Sequence, residues 1–518
     1  MRETKGNMFG KVLSSELVGI EAVTVVVEAD TRSGLPNFSM VGDLSNKVRE
    51  AKERVMVALE NEGIVLPPVK ITINLSPGDV RKEGTSFDLP IAVAVLVSLR
   101  YIEQSKVDNC FIVGELSLNG LINPVSGVLS MVDHYLSQGI RQVIVPTENY
   151  EEACIFDEMQ VLPVSSLKEV IELLKKSFTE RKLIADEMRK SKCIISKDEN
   201  KNDAESKNDF KYVSGQKIAK RAMEIAAAGM HHILMVGPPG GGKSMLAKCL
   251  PSIMPPLSFE EKVEITKIYS VSNRLKNHLG LMEQRPFQAP HHTASQIAMT
   301  GGGSKAQPGI ISLSHLGILF LDELPEFKRD TIEVLRQPLE ERVISVNRLN
   351  KSVIYPCSFL LCVAMNPCKC GFYPDRNKCK CTEIQVQQYK GKISKPFMDR
   401  IDMSIEVFPV GYESIYKKTE EETSEDIRKR VIKAREIQNK RFRDEKFKYN
   451  SQIPSSAIDK YCHLSETQVA MMKKEYVKHD MSVRAYHKVL KVARTIADIE
   501  GSEDIKETHL LEAIGYRI

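Results

Sequence analysis

The stretch HILMVGPPGGGKSMLAKCL, His232 to Leu250, limits the possible folds more than any other part of the chain. HILMV has the length and apolar character of a buried strand, and MLAKCL reads as a helix. The Gly-x-x-x-x-Gly-Lys-Ser run from Gly237 to Ser244 therefore has the strand–loop–helix setting of a phosphate-binding loop. Gly237, Pro238, Pro239, Gly240, Gly241 and Gly242 would let backbone N–H groups close around phosphate oxygens, and the helix amino terminus adds the positive end of its dipole. Lys243 is expected to reach the β- and γ-phosphates and Ser244 to coordinate Mg²⁺. ATP and Mg²⁺ are the expected cofactors.

A P-loop needs a second strand carrying carboxylates, and GILFLDE (Gly317 to Glu323) supplies one. Asp322 is placed to hold Mg²⁺ and Glu323 to polarise the attacking water. A third apolar strand, FLLCVAMN, ends in Asn366, a polar group suited to orienting that water near the γ-phosphate. Short buried strands alternating with helices from Phe210 onward predict a parallel sheet covered on both faces.

A chain of 518 residues has room for more than one core. Residues 1–178 mix β-branched strands such as AVTVVVEAD with helical spacing at Val48, Ala51, Val55 and Leu59, an α+β pattern. Residues 179–209 become charged and poor in apolar groups in their second half, so a flexible linker is expected there. Residues 210–410 carry the nucleotide motifs, and 411–518 show only helical patterns.

A net charge of +5 neither demands nor excludes a polyanionic partner. Ten Lys and Arg residues between Arg428 and Lys448 could neutralise phosphates, or could simply form the solvated face of a helix. MRETKGNMFG has no signal-peptide core, and LPIAVAVLVSL is too short to cross a bilayer. A cytoplasmic protein without membrane partners is expected, its eleven cysteines serving as thiols or metal ligands.

Four of those cysteines, Cys368, Cys370, Cys379 and Cys381, lie within NPCKCGFYPDRNKCKC. Four thiolates suit tetrahedral Zn²⁺ and leave no open coordination position, which describes a structural site. The alternative is four unligated thiols, which would be reactive in so charged a loop.

Together with FDLPIAVAVL, RPFQAPHHTASQIAMTGGG, VLRQPLEER, MDRID and SVRAYHKVLKVARTIADIEG, these motifs resemble an AAA+ ATPase of the magnesium-chelatase-like group, more closely the ComM/YifB family. The resemblance implies a central AAA+ domain with a helical lid. It makes Asn366 sensor 1, Arg400 of MDRID a finger on the neighbouring subunit's ATP, and Arg484 of SVRAY sensor 2. It further implies a homohexameric ring and a DNA branch-migration helicase acting on single-stranded or branched DNA in natural transformation and recombination. A magnesium-chelatase-like or protein-remodelling ATPase without DNA activity is the alternative.

The long insertion before the Asp-Glu strand, Arg285 to Gly309, contains His291 and His292, more simply read as surface or packing residues than as a metal site, and a Gly301–Gly303 run expected to form a mobile loop. Residues 81–92 and 114–146 resemble the proteolytic domain of Lon, whose fold a ribosomal protein shares. Ser86 falls at Lon's nucleophile, but the position of its lysine base holds Leu129, which cannot accept a proton. Proteolysis is not expected, and a binding or assembly module is.

Overall fold

The computed structural model describes residues 8–199, 208–275, 280–303, 306–348, 351–409 and 421–517. The chain divides into two compact units, one comprising Met1–Asn202 and Lys262–Met282, the other Asp203–Glu261 and Glu283–Ile518.

The amino-terminal unit is built on strands β1 (Met8–Val18), β2 (Glu21–Ser33), β3 (Asn37–Val41), β4 (Val69–Ser76) and β5 (Cys110–Ile112). After them come the short pair β6 (Glu115–Leu116) and β7 (Ile122–Asn123), then β8 (Gln142–Pro146) and β9 (Gln160–Val164). Seven form one mixed sheet in the order β3-β4-β2-β1-β5-β8-β9. Its middle is a long β1–β2 hairpin, in register from Met8 opposite Thr31 to Val18 opposite Glu21. Ile144 of β8 joins one hydrophobic core, whereas its neighbours Val143 and Val145 join a second. Successive strand residues point to opposite faces, so this sheet is covered on both sides.

All eleven residues of the helix Asp88–Ser98 are buried. Its buried carboxylate, Asp88, accepts hydrogen bonds from Arg54 Nε at 2.7 Å and Nη2 at 2.9 Å, so its charge is matched inside the unit. The helix Phe178–Glu199 corrects the expectation of a flexible linker from residue 179. The first half of that segment carries enough apolar groups to dock: Ala185 is buried in the core and Ile184 packs against it. Residues 200–207 of the expected linker lie outside the described residues.

The second unit contains β10 (Ile233–Val236), β11 (Phe287–Gln288), β12 (Gly301–Gly302), β13 (Gln307–Pro308), β14 (Ile318–Leu321), β15 (Val343–Arg348), β16 (Lys351–Pro356), β17 (Leu360–Met365) and β18 (Met403–Glu406). Five of these make a parallel sheet in the order β11-β14-β17-β10-β18. The first strand in the chain, β10, thus lies between the fourth and fifth, and strand order reverses there, which is where ligands of open α/β sheets bind. Gly301–Gly302 pairs with Gln307–Pro308, so the expected mobile loop begins as a strand pair. Residues 304–305 lie outside the described residues.

The carboxy-terminal region is helical, as its patterning indicates. The helices Ser424–Arg441 and Val483–Ile499 place Ile427, Val431, Val489 and Ile496 in the same core as Ile233 and Met235 of β10. Part of the basic run turns inward, while Lys429, Lys433, Lys440, Arg443, Lys446 and Lys448 stay exposed to solvent. Arg435 is buried on the Ala227 carbonyl with its guanidinium 3.9 Å from the Tyr449 ring centroid, and Arg441 pairs with buried Asp498. Arg430 pairs with Glu224 and Glu422. These three arginines serve cohesion rather than presenting free charge.

Candidate active site

β10 delivers the chain into the loop Gly237–Gly242, and the helix Lys243–Ile253 leaves it. Gly242, the residue capping that helix, has φ +88°, a left-handed conformation that glycine adopts without strain. Lys243 is only 8% exposed, and its Nζ donates to the carbonyls of Gly237 at 2.6 Å and Pro238 at 2.9 Å and to Asn366 Oδ1 at 3.2 Å. Burial lowers its pKa, opposed by Asp322 and Glu323. Lysine and candidate sensor are therefore in direct contact, because β10 and β17 are adjacent in the sheet and in parallel register.

Ser244 Oγ donates to Asp322 Oδ2 at 2.7 Å. Mg²⁺ takes oxygen ligands and usually keeps several waters beside one or two protein groups, so this hydroxyl–carboxylate pair fits it. The next residue, Glu323, has φ +53° and its backbone N–H donates to Asp322 Oδ1 at 3.0 Å. A left-handed non-glycine residue is strained, and strain of this kind gathers at functional sites. It leaves the two adjacent carboxylates in different settings, one on Ser244 and one open to solvent. His292 Nδ1 lies 3.9 Å from Glu323 Oε2, a proximity the sequence reading did not assign. The pair His291 and His292 forms no metal cluster among the described residues.

The cysteine cluster assembles as its spacing suggests. The sulfurs of Cys368, Cys370, Cys379 and Cys381 all lie within 4.8 Å of one another, with separations of 3.3 Å for Cys368–Cys370 and 3.7 Å for Cys368–Cys379. Zinc–sulfur bonds of about 2.3 Å in a tetrahedron put sulfurs about 3.8 Å apart, so the donor set fits Zn²⁺. The Tyr373 backbone N–H donates to Cys368 Sγ at 3.4 Å, the sort of outer contact that orients a metal-bound thiolate. Gly371 of this loop packs on the P-loop so closely that an added Cβ would lie 2.4 Å from Pro239 Cδ. Tyr389 is buried, and that burial pushes its hydroxyl up to about 12.

Arg400 and Arg484 are brought together, but not to the P-loop. Both reach one oxygen, Glu340 Oε1, Arg400 Nη2 at 2.8 Å and Arg484 Nη2 at 3.1 Å. They line a cleft of about 420 Å³ which, among the described residues, includes no part of the P-loop and neither Asp322, Glu323 nor Asn366. Beneath it Asp402 accepts from the His232 backbone N–H at 2.9 Å and pairs with Lys488 Nζ at 3.0 Å. Although burial opposes it, Lys488 and His231 hold that carboxyl well below the usual range. His232 Nδ1 accepts from the Leu361 backbone N–H at 3.2 Å, and burial lowers its pKa to about 4. Sequence reasoning did not single out Glu340 or its neighbour Arg342, which also lines the cleft. Both lie in the quoted stretch VLRQPLEER, but nothing in charge or spacing separates them from an ordinary helix end.

In the amino-terminal unit Leu129 is fully buried, and its backbone N–H donates to Glu152 Oε1 at 2.9 Å. Ser86 sits in the turn before the helix Asp88–Ser98, its carbonyl accepting from Gly114.

Three family descriptions match: "Subunit ChlI of Mg-chelatase" over residues 27–149, "Magnesium chelatase, subunit ChlI" over 209–415, and the ChlI C-terminal family over 421–517. The uncharacterized protein YifB of Salmonella typhimurium is 39% identical over 502 residues, covering 96% of this chain and 95% of that protein. Competence protein ComM of Haemophilus influenzae is 38% identical over 508 residues, covering 98% of this chain and 97% of its own. Lon protease 2 of Bacillus subtilis is 29% identical over 183 residues, 33% of this chain and 32% of that protein.

Proposed function

The chain belongs to the magnesium chelatase ChlI-like family that includes YifB and ComM, and from that premise we propose that it is one subunit of an ATP-driven ring motor acting on branched DNA. The family and the P-loop geometry make it an ATPase; the DNA substrate is the further step. The end-to-end likeness to a competence protein carries that step, since competence concerns the handling of incoming DNA. The ring is supported by the arginine pair, which lies in a cleft outside its own subunit's P-loop and so suits a nucleotide held by the next copy.

Within one subunit, the P-loop amides and Lys243 bind the triphosphate, and Ser244 and Asp322 hold Mg²⁺, which neutralises developing charge when bound. Glu323 polarises the attacking water and Asn366 orients it, its carboxamide already on Lys243. Arg400 supplies the finger in trans and Arg484 assists as the sensor 2 arginine. Hydrolysis would be read out through Asn366, two residues before Cys368, and from there through a zinc-held loop to Arg400. The four cysteines act as a structural clip on that path, and a reducing cytoplasm suits them. A motor of this kind holds backbone phosphate and needs no base-reading side chains.

The test is ATP-dependent branch migration on a synthetic three-way or Holliday junction, with Lys243→Ala as control. Strand movement and DNA-stimulated hydrolysis are expected. If the intact protein shows neither, the DNA reading falls. The family descriptions favour a second reading, a chelatase-like or protein-remodelling ATPase, which the same assay would reveal as hydrolysis indifferent to DNA.

A further inference from the structure

The cleft that holds Arg400 and Arg484 carries more positive charge than its own carboxylates satisfy. Five cations line it, Arg342, Arg400, Arg484, Lys488 and Lys491, against three carboxylates, Glu340, Asp399 and Asp402. Asp402 is taken by Lys488, and a single oxygen of Glu340 is shared by two guanidinium groups. Among the described residues the hydrogen bond of Lys491 is to the Ser451 carbonyl, at 3.2 Å. Arg342 has no side-chain hydrogen bond or ion pair among the described residues. Burial lowers the pKa of Arg342 and of Lys491, and for Lys491 the nearby Lys488 and Arg342 add to that effect while Asp402 opposes it. A cleft whose cations repel one another calls for an anion from outside.

The backbone gives a second, independent observation. Arg342 caps the helix Arg336–Glu341 with φ +59°, the left-handed position that glycine usually fills at a helix end. An arginine there is strained relative to a residue at ease in that region. The turn does not need the side chain: the Arg342 N–H donates to the Pro338 carbonyl and its own carbonyl accepts from Cys357 N–H, bonds any residue could make. The chain keeps a long cation where the backbone favours glycine, and points it into the cleft.

We infer that Arg342 is a further phosphate-contacting residue of this cleft, which receives the triphosphate of a nucleotide bound by the P-loop of a second copy. Glu340 then acts as a resting counter-ion, holding Arg400 and Arg484 until the more highly charged phosphate displaces it. The inference rests on the ring-ATPase reading but not on DNA being the substrate.

The strained backbone supplies a clean variant. Arg342→Gly removes the cation and relieves the left-handed strain, so its melting temperature is expected to equal or exceed that of the parent. Its own P-loop is untouched, and affinity for a fluorescent ATP analogue is expected to persist. Its kcat is expected to fall at least about 10²-fold, the scale for losing one stabilising donor at a developing charge. Mixed one to one with Lys243→Ala, which keeps an intact cleft, it should recover roughly a quarter of the parent rate, since random pairing joins intact P-loop to intact cleft at about one interface in four. An unchanged kcat in Arg342→Gly, or a loss that mixing does not repair, overturns the assignment. So does inorganic triphosphate binding to monomeric Lys243→Ala protein that Arg342→Gly abolishes while kcat stays intact, which would mark a site for free polyphosphate. A parent protein without any hydrolysis would sink the ATPase-ring reading itself, and hydrolysis without DNA stimulation only its DNA half.

Discussion

The P-loop and the arginine cleft belong to one compact unit yet are built on opposite principles. At the P-loop the phosphate-binding lysine and the hydroxyl beside it already have partners within the site: Lys243 on two carbonyls and Asn366, Ser244 on Asp322. At the cleft one half-exposed carboxylate oxygen serves two arginines, and a third guanidinium is left over. A satisfied site keeps its shape before its ligand arrives, as a binding site should. An unsatisfied one waits for charge from elsewhere, which is what shared chemistry between copies requires.

The largest test of this contrast is to cut each side in turn. Arg400→Ala is expected to lower kcat by about 10³-fold or more while leaving nucleotide binding near the parent value. Lys243→Ala is expected to lose binding as well as hydrolysis, so equilibrium binding of a labelled nucleotide separates the two. Equal loss of binding in both variants would break the distinction.

Next comes the cysteine clip, which touches the P-loop side through Gly371 and Pro239. Cys379→Ser should purify with well under one zinc per chain, against about one in the parent, because structural zinc needs all four ligands. Its melting temperature should fall and its ATP affinity weaken. A fully active, stable parent containing no zinc would remove the site.

Acid should act on the cleft side. The folded pKa of His232, about 4, lies below the ordinary value near 6.5, so the folded state disfavours the proton. Stability is then complete above pH 6.5 and declines as pH falls toward 4, by on the order of 2–3 kcal/mol from this group. The depressed carboxyl of Asp402 adds a further loss only at lower pH, below the ordinary carboxylate range. His232→Asn keeps an acceptor for the Leu361 N–H and cannot titrate, so its unfolding midpoint should vary less across that window. An unaltered pH profile would show that acid sensitivity lies elsewhere.

Ser86→Ala sets the lower bound. It should leave hydrolysis unchanged and shift stability by no more than about 0.5 kcal/mol, as a turn hydroxyl would. Loss of any peptidase activity on this change would overturn the assignment of the amino-terminal unit.

How much was legible in the sequence follows from how local each signal is. The P-loop, the Asp-Glu strand end and the cysteine cluster announce themselves, because each packs its chemistry into a few consecutive residues. The helix over Phe178–Glu199 was hidden by the charge of the whole segment, since docking needs only a few well-placed apolar groups such as Ala185. The basic run looked available for phosphate, but Arg435 and Arg441 are turned inward by partners far away in sequence, the Ala227 carbonyl and Asp498. Glu340 and Arg342 stood in a quoted motif and His292 in a histidine pair, but nothing in the sequence marked what faces them.

By itself the sequence placed a glycine-rich, lysine-bearing loop between a strand and a helix, two carboxylates at a strand end, and four cysteines at a spacing one metal could take. Those features are set by spacing along the backbone, which the covalent chain fixes. Only the tertiary structure decided that Arg400 and Arg484 meet at one carboxylate outside their own P-loop, and that Arg342 lines the same cleft with no side-chain partner among the described residues. Such neighbours come from separate helices and turns, and folding alone brings them into reach of a common anion.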